Sequence, residues 1–354
     1  MSRTSKKCLY LLPDAKSKRL MALFLFLCAL SLGADALAQQ EDEALAAARS
    51  LMQQNRNAEA IAQLKALANR HAAMKGINHE LGVAYYREKE YLEAAVYLEK
   101  ARQENPEDRD AAQLLGLSYY FTGKPAEAIP ALEKVRIWNP DASVDAIYIL
   151  GLCYIVTKNY PQALETYAQL YGLSPDSAAA HLLLGRILLR QGFDPVAENE
   201  VRKALALSPQ LPLAHFTLGE YYVYSGDYPK AVKEFEDELA FNPGYAPALT
   251  HLGDVYWRLG RYDDAEKVAQ RSIWLDSTSS DPYVIMGKVL VRKGQLALAE
   301  RALQRSIAMD PGSYTAHYFL GQLYRQMGRA DAAERELKAA AQIQQLQPTN
   351  ARPR

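Results

Sequence analysis

A glycine recurs every 34 residues along most of this chain, and that period constrains the fold more than any other feature. One interval is 35 residues long, and an alanine follows each glycine by twelve residues. The glycines are Gly82, Gly116, Gly151, Gly185, Gly219, Gly253, Gly287 and Gly321, and the alanines are Ala94, Ala128, Ala163, Ala197, Ala231, Ala265, Ala299 and Ala333. A further step back reaches Ala48, with Ala60 twelve residues on. A period of this length predicts a solenoid of stacked repeats.

The stretch 211–243 shows what one repeat contains. Two amphipathic segments lie either side of Ser225-Gly226-Asp227, and Pro243 ends the second segment. Nine such repeats fit between Glu41 and about Leu346, and no stretch between them has the composition of a linker. We therefore expect an all-α fold of nine helix pairs, with one repeat domain over residues 39–346 and a disordered tail over residues 347–354.

Each recurring residue has a predicted structural role. The leucine before the glycine faces the core, and the glycine lets the two helices of a pair cross closely. The alanine is its expected partner at that crossing, so we expect Gly219→Ala to be nearly neutral. The glycine of the turn is expected to cap the first helix in the left-handed conformation, and proline ends the second helix. An aromatic residue commonly follows the crossing glycine by three positions, at Tyr85, Tyr119, Tyr154, Tyr222, Tyr256 and Tyr324.

The pattern Leu-Gly-x-x-Tyr, then Ala, then Pro resembles the tetratricopeptide repeat. The resemblance covers roughly residues 41–346 and weakens at both ends, where Ala48 replaces the glycine and Gln345 replaces the proline. It implies a right-handed superhelical solenoid whose first helices line a concave groove that binds peptides or proteins. Terminal repeats of a solenoid are expected to be atypical.

The resemblance also implies which residues point into the groove. In repeats two to six the predicted binding residues are mostly apolar or aromatic: Tyr86, Gln113, Leu117, Tyr120, Phe121, Tyr148, Leu152, Ile155, Leu182, Leu189, Phe216 and Tyr224. In repeats seven to nine the corresponding positions are polar: Asp254, Trp257, Arg258, Lys288, Arg292, Gln322 and Arg325. We expect Tyr120 and Phe216 to be anchors of a bound partner, removable without loss of stability.

Motifs for catalysis and for cofactors are missing from the sequence. It contains no Gly-rich phosphate loop, no G-x-S-x-G and no H-E-x-x-H. His181, His215 and His317 occupy equivalent positions of different repeats, about 10 Å apart or more, too far apart to share one ion. They are expected to be half-buried packing residues. Cys153 lies in an apolar helix and is expected to be core. The prediction is no enzyme, no catalytic residue, no cofactor and no metal.

Charge argues against nucleic acid as a ligand. Lys and Arg number 41 and Asp and Glu also number 41, so no basic excess exists to neutralise phosphates. The function that the resemblance implies is a protein-interaction scaffold that binds a partner helix or extended segment in the groove. The alternative is a structural subunit that self-associates into a homo-oligomer through the same apolar face.

The first 38 residues differ from the rest and predict export. A basic start that includes Lys6, Lys7 and Arg19 precedes the uncharged run LMALFLFLCALSL, and the segment ends in Ala36-Leu37-Ala38. This order is typical of a signal peptide, and 13 apolar residues fall short of the roughly 20 that a spanning helix needs. We expect a periplasmic or cell-envelope protein with no membrane span after cleavage. An uncleaved anchor is the alternative.

Cleavage after Ala38 predicts a mature protein that begins at Gln39. Intact-mass measurement of the protein recovered from the periplasmic fraction should give the mass of residues 39–354. A full-length product that sediments with the membranes would support the anchor instead.

Overall fold

The structure, a computed structural model, describes residues 42–70, 74–138, 144–192 and 194–346. These residues form eighteen α-helices and contain no β-strand. The helices are, in chain order, α1 (42–53), α2 (Asn57–Arg70), α3 (Ile77–Arg87), α4 (Tyr91–Glu104), α5 (Arg109–Phe121), α6 (Pro125–Trp138), α7 (Val144–Val156), α8 (Tyr160–Leu170), α9 (Ala178–Gln191), α10 (Asp194–Leu207), α11 (Ala214–Ser225), α12 (Tyr228–Phe241), α13 (Ala246–Arg258), α14 (Tyr262–Leu275), α15 (Asp281–Arg292), α16 (Leu296–Met309), α17 (Tyr314–Gln326) and α18 (Ala330–Leu346). The predicted all-α solenoid of nine helix pairs is confirmed. The predicted signal segment, its cleavage site and the predicted tail lie outside the described residues.

The helices divide into two compact units. The first, Met1–Lys158, contains α1 to α7, and the second, Asn159–Arg354, contains α8 to α18. Within each unit a first helix packs on the second helix of its own pair, on the preceding second helix and on the next first helix, as α5 does on α6, α4 and α7. First helices of neighbouring repeats therefore form one face in each unit, which we call the first-helix face.

The turns inside the pairs require the left-handed backbone conformation. Six of the turn glycines have φ between 74° and 81°: Gly123, Gly192, Gly226, Gly260, Gly294 and Gly328. In three repeats that lack the glycine, Asn55, Lys89 and Lys158 adopt φ of 59°, 63° and 61° at the same place. A side chain costs energy in this conformation, yet these three residues adopt it. The place of the turn in the repeat therefore determines the backbone conformation even where glycine is absent. The predicted glycine caps are confirmed.

The recurring alanines form the least exposed layer of the core. Every one of the nine is at most 4% exposed: Ala60, Ala94, Ala128, Ala163, Ala197, Ala231, Ala265, Ala299 and Ala333. The leucines that precede the crossing glycines are buried as well, from Leu81 to Leu320, whereas Met286 at that position is half-buried. Buried residues therefore recur in the core with the same 34-residue period as the sequence repeat.

The partner of the crossing glycine is not the alanine, and this corrects the sequence interpretation. A methyl group built on Gly219 would lie 2.6 Å from Cδ1 of the Phe235 ring, sixteen residues on, and Phe235 is fully buried. The same approach to a large side chain sixteen residues on recurs at Gly82–Leu98, Gly116–Leu132, Gly185–Val201, Gly287–Leu303 and Gly321–Leu337. The glycine makes room for a large residue of the second helix, and the alanine contributes only its backbone carbonyl nearby.

Gly253 differs from the six glycines above because no large residue follows it by sixteen positions. Sixteen residues after it stands Ala269, and a methyl group there would lie 3.2 Å from Cγ2 of Val268 and 3.3 Å from Cγ2 of Ile285. Because alanine replaces the large residue sixteen positions on, no side chain at that position presses on Gly253, and the crossing is looser.

The tyrosine three residues past the glycine links successive repeats. The hydroxyl of Tyr222 donates to Glu198 at 2.7 Å, that of Tyr256 donates to Glu236 at 2.6 Å, and Tyr119 and Tyr154 bond Glu99 and Glu133 in the same way. In each case the glutamate lies on the second helix of the preceding pair. Burial first, and the Glu198 carboxylate second, raise the pKa of Tyr222 to about 12. The position therefore favours Tyr over Phe, because its hydroxyl satisfies a carboxylate.

No helix among the described residues is long and apolar enough to cross a membrane.

These crossings predict different costs for the same substitution at two glycines. Gly219→Ala should destabilise the protein, because overpacking against the Phe235 ring costs about 1–3 kcal/mol and opposes a helix-propensity gain of about 1 kcal/mol. Gly253→Ala should lie near wild type. Urea unfolding followed by circular dichroism measures both, and equal midpoints for the two variants would show that the glycine–Phe235 contact does not limit stability.

Candidate functional site

A cluster of aromatic side chains lies at the first-helix face of the first unit, where the second helix α4 contributes Tyr91. We call it the aromatic face: Tyr86, Tyr91, Tyr120, Phe121 and Tyr148. Tyr86 meets Tyr91 edge-on at 5.4 Å between ring centroids, and Tyr91 stacks on Phe121 at 4.7 Å. Tyr120 meets Phe121 edge-on at 5.6 Å. Phe121 is 48% exposed, so a large apolar ring faces solvent at the centre of the cluster.

Burial sets the protonation of the hydroxyls on this face. Desolvation raises the pKa of Tyr86, and the nearby Tyr91 and Asp145 act in the same direction. Desolvation also raises the pKa of Tyr120. Both hydroxyls are therefore neutral hydrogen-bond donors at physiological pH, and each can bond a partner's backbone carbonyl. Tyr91 was missed in the sequence because it lies at the start of the second helix α4, outside the groove positions of the first helices.

The predicted binding residues fall into two groups by burial. Five are less than a tenth exposed and offer little surface: Leu117, Leu152, Ile155, Leu182 and Phe216. Tyr86, Gln113, Tyr120, Tyr148 and Leu189 are half-buried, while Phe121 and Tyr224 are exposed. Only the second group can contact a partner over a large area.

Phe216 belongs to the core of the second unit. Its ring lies 5.1 Å from Tyr245, 5.2 Å from His251 and 5.7 Å from Phe235 between centroids, and the residue is 7% exposed. The expectation that Phe216 could be truncated without loss of stability is therefore wrong. Its position in the repeat points toward the groove, but neighbouring rings cover it.

A cleft of about 510 Å³ opens on the first-helix face of the second unit. Arg186 and Arg190 lie one turn apart on α9, opposite Glu220 of α11 and His251 of α13. Desolvation raises the pKa of the Glu220 carboxyl, and His251, Arg186 and Arg190 oppose that shift. The two guanidinium groups form no ion pair with the described residues, so the cleft presents net positive charge. The rest of the lining is Leu189, Thr217, Val223 and Tyr224.

The sequence contained the signal for these arginines. Arg186 and Arg190 occupy the ninth and thirteenth positions of their repeat, which are the positions of Leu117 and Phe121 in another repeat. The repeat pattern therefore predicts that these arginines face the groove, although apolar character does not mark them.

A second cleft of about 460 Å³ lies farther along the same unit. Lys288 is buried there, 2.5 Å from Oδ1 of Asp254 and with its ammonium 3.8 Å from the Trp257 ring centroid. Desolvation lowers the pKa of Lys288, and Asp254 opposes the shift. Arg292 and Arg325 line the cleft without an ion pair among the described residues. The Lys288 ammonium is thus already in contact with Asp254 and Trp257, whereas the guanidinium groups of the two arginines are available to a ligand.

The three equivalent histidines each bond a glutamate nineteen residues on. The Nδ1 atoms of His181, His215 and His317 lie 2.7, 2.7 and 2.6 Å from carboxylate oxygens of Glu200, Glu234 and Glu336. All three histidines are half-buried between the helices of their own pair, as expected. The hydrogen bond to Glu234 raises the pKa of His215, and desolvation opposes it.

Comparison with known families agrees with this repeat architecture. A family model described as Tetratricopeptide repeat matches residues 45–109, 157–212, 216–282 and 286–351, well over half of the chain. The chain belongs to the tetratricopeptide repeat family. A second model, described as Anaphase-promoting complex, cyclosome, subunit 3, matches residues 87–170.

Solved tetratricopeptide structures are similar at low identity. A MamA structure from Desulfovibrio magneticus RS-1 is 20% identical over 49% of this chain and 98% of its own, with a TM-score of 0.43. YrrB, described as a TPR protein with an unusual peptide-binding site, is 22% identical over 53% and 95%, with a TM-score of 0.42. Cut9, of the APC/C hetero-tetramer Cut9–Hcn1, is 19% identical over 79% of this chain and 55% of its own, with a TM-score of 0.43. A comparison with curated proteins gave no match.

Tetratricopeptide domains are protein-interaction scaffolds and are generally non-enzymatic. The side chain of Cys153, which could otherwise be a nucleophile, is fully buried in α7, and desolvation raises its pKa to about 12. A thiol in that state is unreactive. The tetratricopeptide repeat of this chain thus uses its cysteine for packing, as the sequence predicted.

The two aromatic residues Phe216 and Tyr224 of one tetratricopeptide helix predict opposite outcomes on truncation. Phe216→Ala should cost about 3–5 kcal/mol of stability, because a buried ring leaves a cavity. Tyr224→Ala should change stability by less than about 0.5–1 kcal/mol, because the side chain is 57% exposed. Chemical denaturation of both variants measures the difference. A tolerated Phe216→Ala would mean that this ring is on the surface in solution.

Proposed function

We propose that this protein is an exported, non-enzymatic scaffold that binds a helix or an extended segment of a partner protein on its first-helix faces. The observation that carries the proposal is the aromatic face, where Tyr91 and the half-exposed Phe121 stack between Tyr86 and Tyr120. Contiguous exposed aromatic surface is uncommon on a monomer that has no partner.

The chemistry of the aromatic face suits a peptide ligand. Aromatic residues carry a large share of the energy at protein interfaces, and tyrosine adds a hydroxyl donor to a large apolar ring. Stacked first helices present a trough about one helix wide, in which an amphipathic helix or an extended segment can bury apolar side chains. The neutral hydroxyls of Tyr86 and Tyr120 would then bond the backbone of that segment.

The clefts of the second unit would orient the bound partner segment more than they would strengthen its binding. Arg186 and Arg190 in one cleft, and Arg292 and Arg325 in the other, form no ion pair with the described residues. Charges of this kind act mainly on encounter rate and on partner selection. A partner segment with carboxylate side chains matches these clefts.

Export rests on the sequence of the first 38 residues. The basic start, the apolar run and Ala36-Leu37-Ala38 together indicate a signal peptide, and the repeat domain would then act in the periplasm or cell envelope.

Peptide selection tests binding at the aromatic face. Segments would be selected from a displayed peptide library on the wild-type protein, and their affinities would be measured by fluorescence anisotropy. The double variant Tyr91→Ala, Phe121→Ala should weaken binding by about 30- to 1,000-fold, equivalent to roughly 2–4 kcal/mol. Tyr171→Ala, which removes a comparably exposed tyrosine outside the aromatic face, should leave the affinity unchanged.

Two results would contradict the proposal. One is unchanged affinity in the double variant while circular dichroism shows a native helix content. The other is a wild-type dimer in sedimentation that the same double variant abolishes, because the aromatic face would then serve self-association.

A further inference from the structure

The sixth repeat places three metal-ligating side chains together. Oxygen atoms of Glu234 and Asp237, one turn apart on α12, and a ring nitrogen of His215 on α11 all lie within 4.8 Å of one another. Glu234 is buried, and His215 and Asp237 are half-buried. Glu238, the next acidic residue on α12, does not compete for this place, because its carboxylate accepts from the backbone N–H groups of Leu213 and Phe216.

We propose that His215, Glu234 and Asp237 form a binding site for a divalent first-row transition-metal cation, with Zn²⁺ as the reference ion. One imidazole nitrogen and two carboxylate oxygens are a donor set that Zn²⁺ accepts, with water as the fourth ligand of a tetrahedral site. Ligand bonds of about 2.0–2.2 Å require the three atoms to draw together slightly, and the half-buried Asp237 has room to move. The ion would join the two helices of the sixth pair.

The second nitrogen of His215 has the arrangement that metal ligands require. In the equivalent His317, Nε2 lies 3.2 Å from the carbonyl of Pro311, and the Pro209 carbonyl at the matching place contributes to the raised pKa of His215. A metal-bound histidine commonly donates its other N–H to a backbone carbonyl, which orients the ring. Phe241 also stacks over the ring of His215, at 6.1 Å between centroids. Nδ1 lies 2.7 Å from Oε2 of Glu234 and so faces the carboxylates, and a metal ion would take the place of the proton shared between these two atoms.

Equivalent positions in other repeats isolate the role of Asp237. In the fifth repeat the histidine–glutamate pair is His181 and Glu200, but the third position is Lys203, whose ammonium pairs with Glu200 at 2.6 Å. In the ninth repeat His317 and Glu336 are followed by Ala339. The histidine–glutamate bond is thus a common structural feature, and only the sixth repeat adds a second carboxylate. The fifth repeat places the ammonium of its own lysine beside the glutamate, whereas the sixth places a second carboxylate there, which suits a divalent cation.

This site does not conflict with the spacing of the histidines. That spacing excludes one ion shared by histidines of different repeats, whereas these ligands come from the two helices of a single pair. The site also does not depend on the proposed function, because its residues lie outside the aromatic face.

Calorimetric titration of Zn²⁺ into the full chain, purified without a histidine tag and treated with chelator, tests the proposal. The wild type should bind one equivalent and should unfold at a higher temperature in its presence. Asp237→Lys, which copies the fifth repeat, and Asp237→Asn should both lose this binding while circular dichroism shows native helix content. Co²⁺ should give the visible absorption of a tetrahedral site in the wild type alone, and Mg²⁺ should not compete.

The reciprocal variant gives a gain of function. Lys203→Asp recreates the three-ligand cluster in the fifth repeat, so the stoichiometry should rise from one to two. Absence of Zn²⁺ binding to the wild type, binding that survives Asp237→Lys, or an unchanged stoichiometry in Lys203→Asp would each overturn the proposal.

Discussion

The close crossing of two helices at a glycine is the contact on which each repeat depends. At Gly219 the backbone of α11 approaches Phe235 of α12 so closely that no side chain fits between them. The large residue sixteen positions on fills the space, and the alanine twelve positions on brings the second backbone near. A single pair cannot bury both of its faces, so its remaining apolar surface packs on the neighbouring pairs. The 34-residue period is the consequence of repeating this one contact.

Local features of the fold could be predicted from the sequence because each depends on a few neighbouring residues. Glycines such as Gly226 mark the left-handed turns in the sequence, and prolines such as Pro243 mark the ends of the second helices. The partner of the glycine could not be assigned in this way. A spacing of twelve residues shows that Gly219 and Ala231 share a register, but the direction of side chains decides that Phe235 fills the crossing.

The candidate site was predictable only as a set of positions. Phe216 and Tyr224 both occupy groove positions of the same helix, yet one is 7% and the other 57% exposed. The difference arises from Tyr245, His251 and Phe235, which cover Phe216 and come from other helices. The sequence also could not show which charged residues form ion pairs. Lys288 pairs with Asp254, thirty-four residues away, whereas Arg292 on the same helix has no ion pair among the described residues. The position in the repeat predicts the direction in which a side chain points, and contacts between repeats determine how much of that side chain is exposed.

In a solenoid the departures from the repeat carry more functional information than the repeat itself. The pairs repeat one helix–turn–helix arrangement, so residues at equivalent positions can be compared directly for their chemistry. Lys203, Asp237 and Ala339 occupy one such position, beside the same histidine–glutamate pair. The packing of the pair places no requirement on that position, since a cation, an anion and a methyl group are all accommodated. A second carboxylate beside Glu234 is electrostatically unfavourable unless a positive charge lies close by. Together with the Glu234 hydrogen bond, Asp237 raises the pKa of His215, so a proton on that ring and a bound divalent cation are the two positive charges that suit this position.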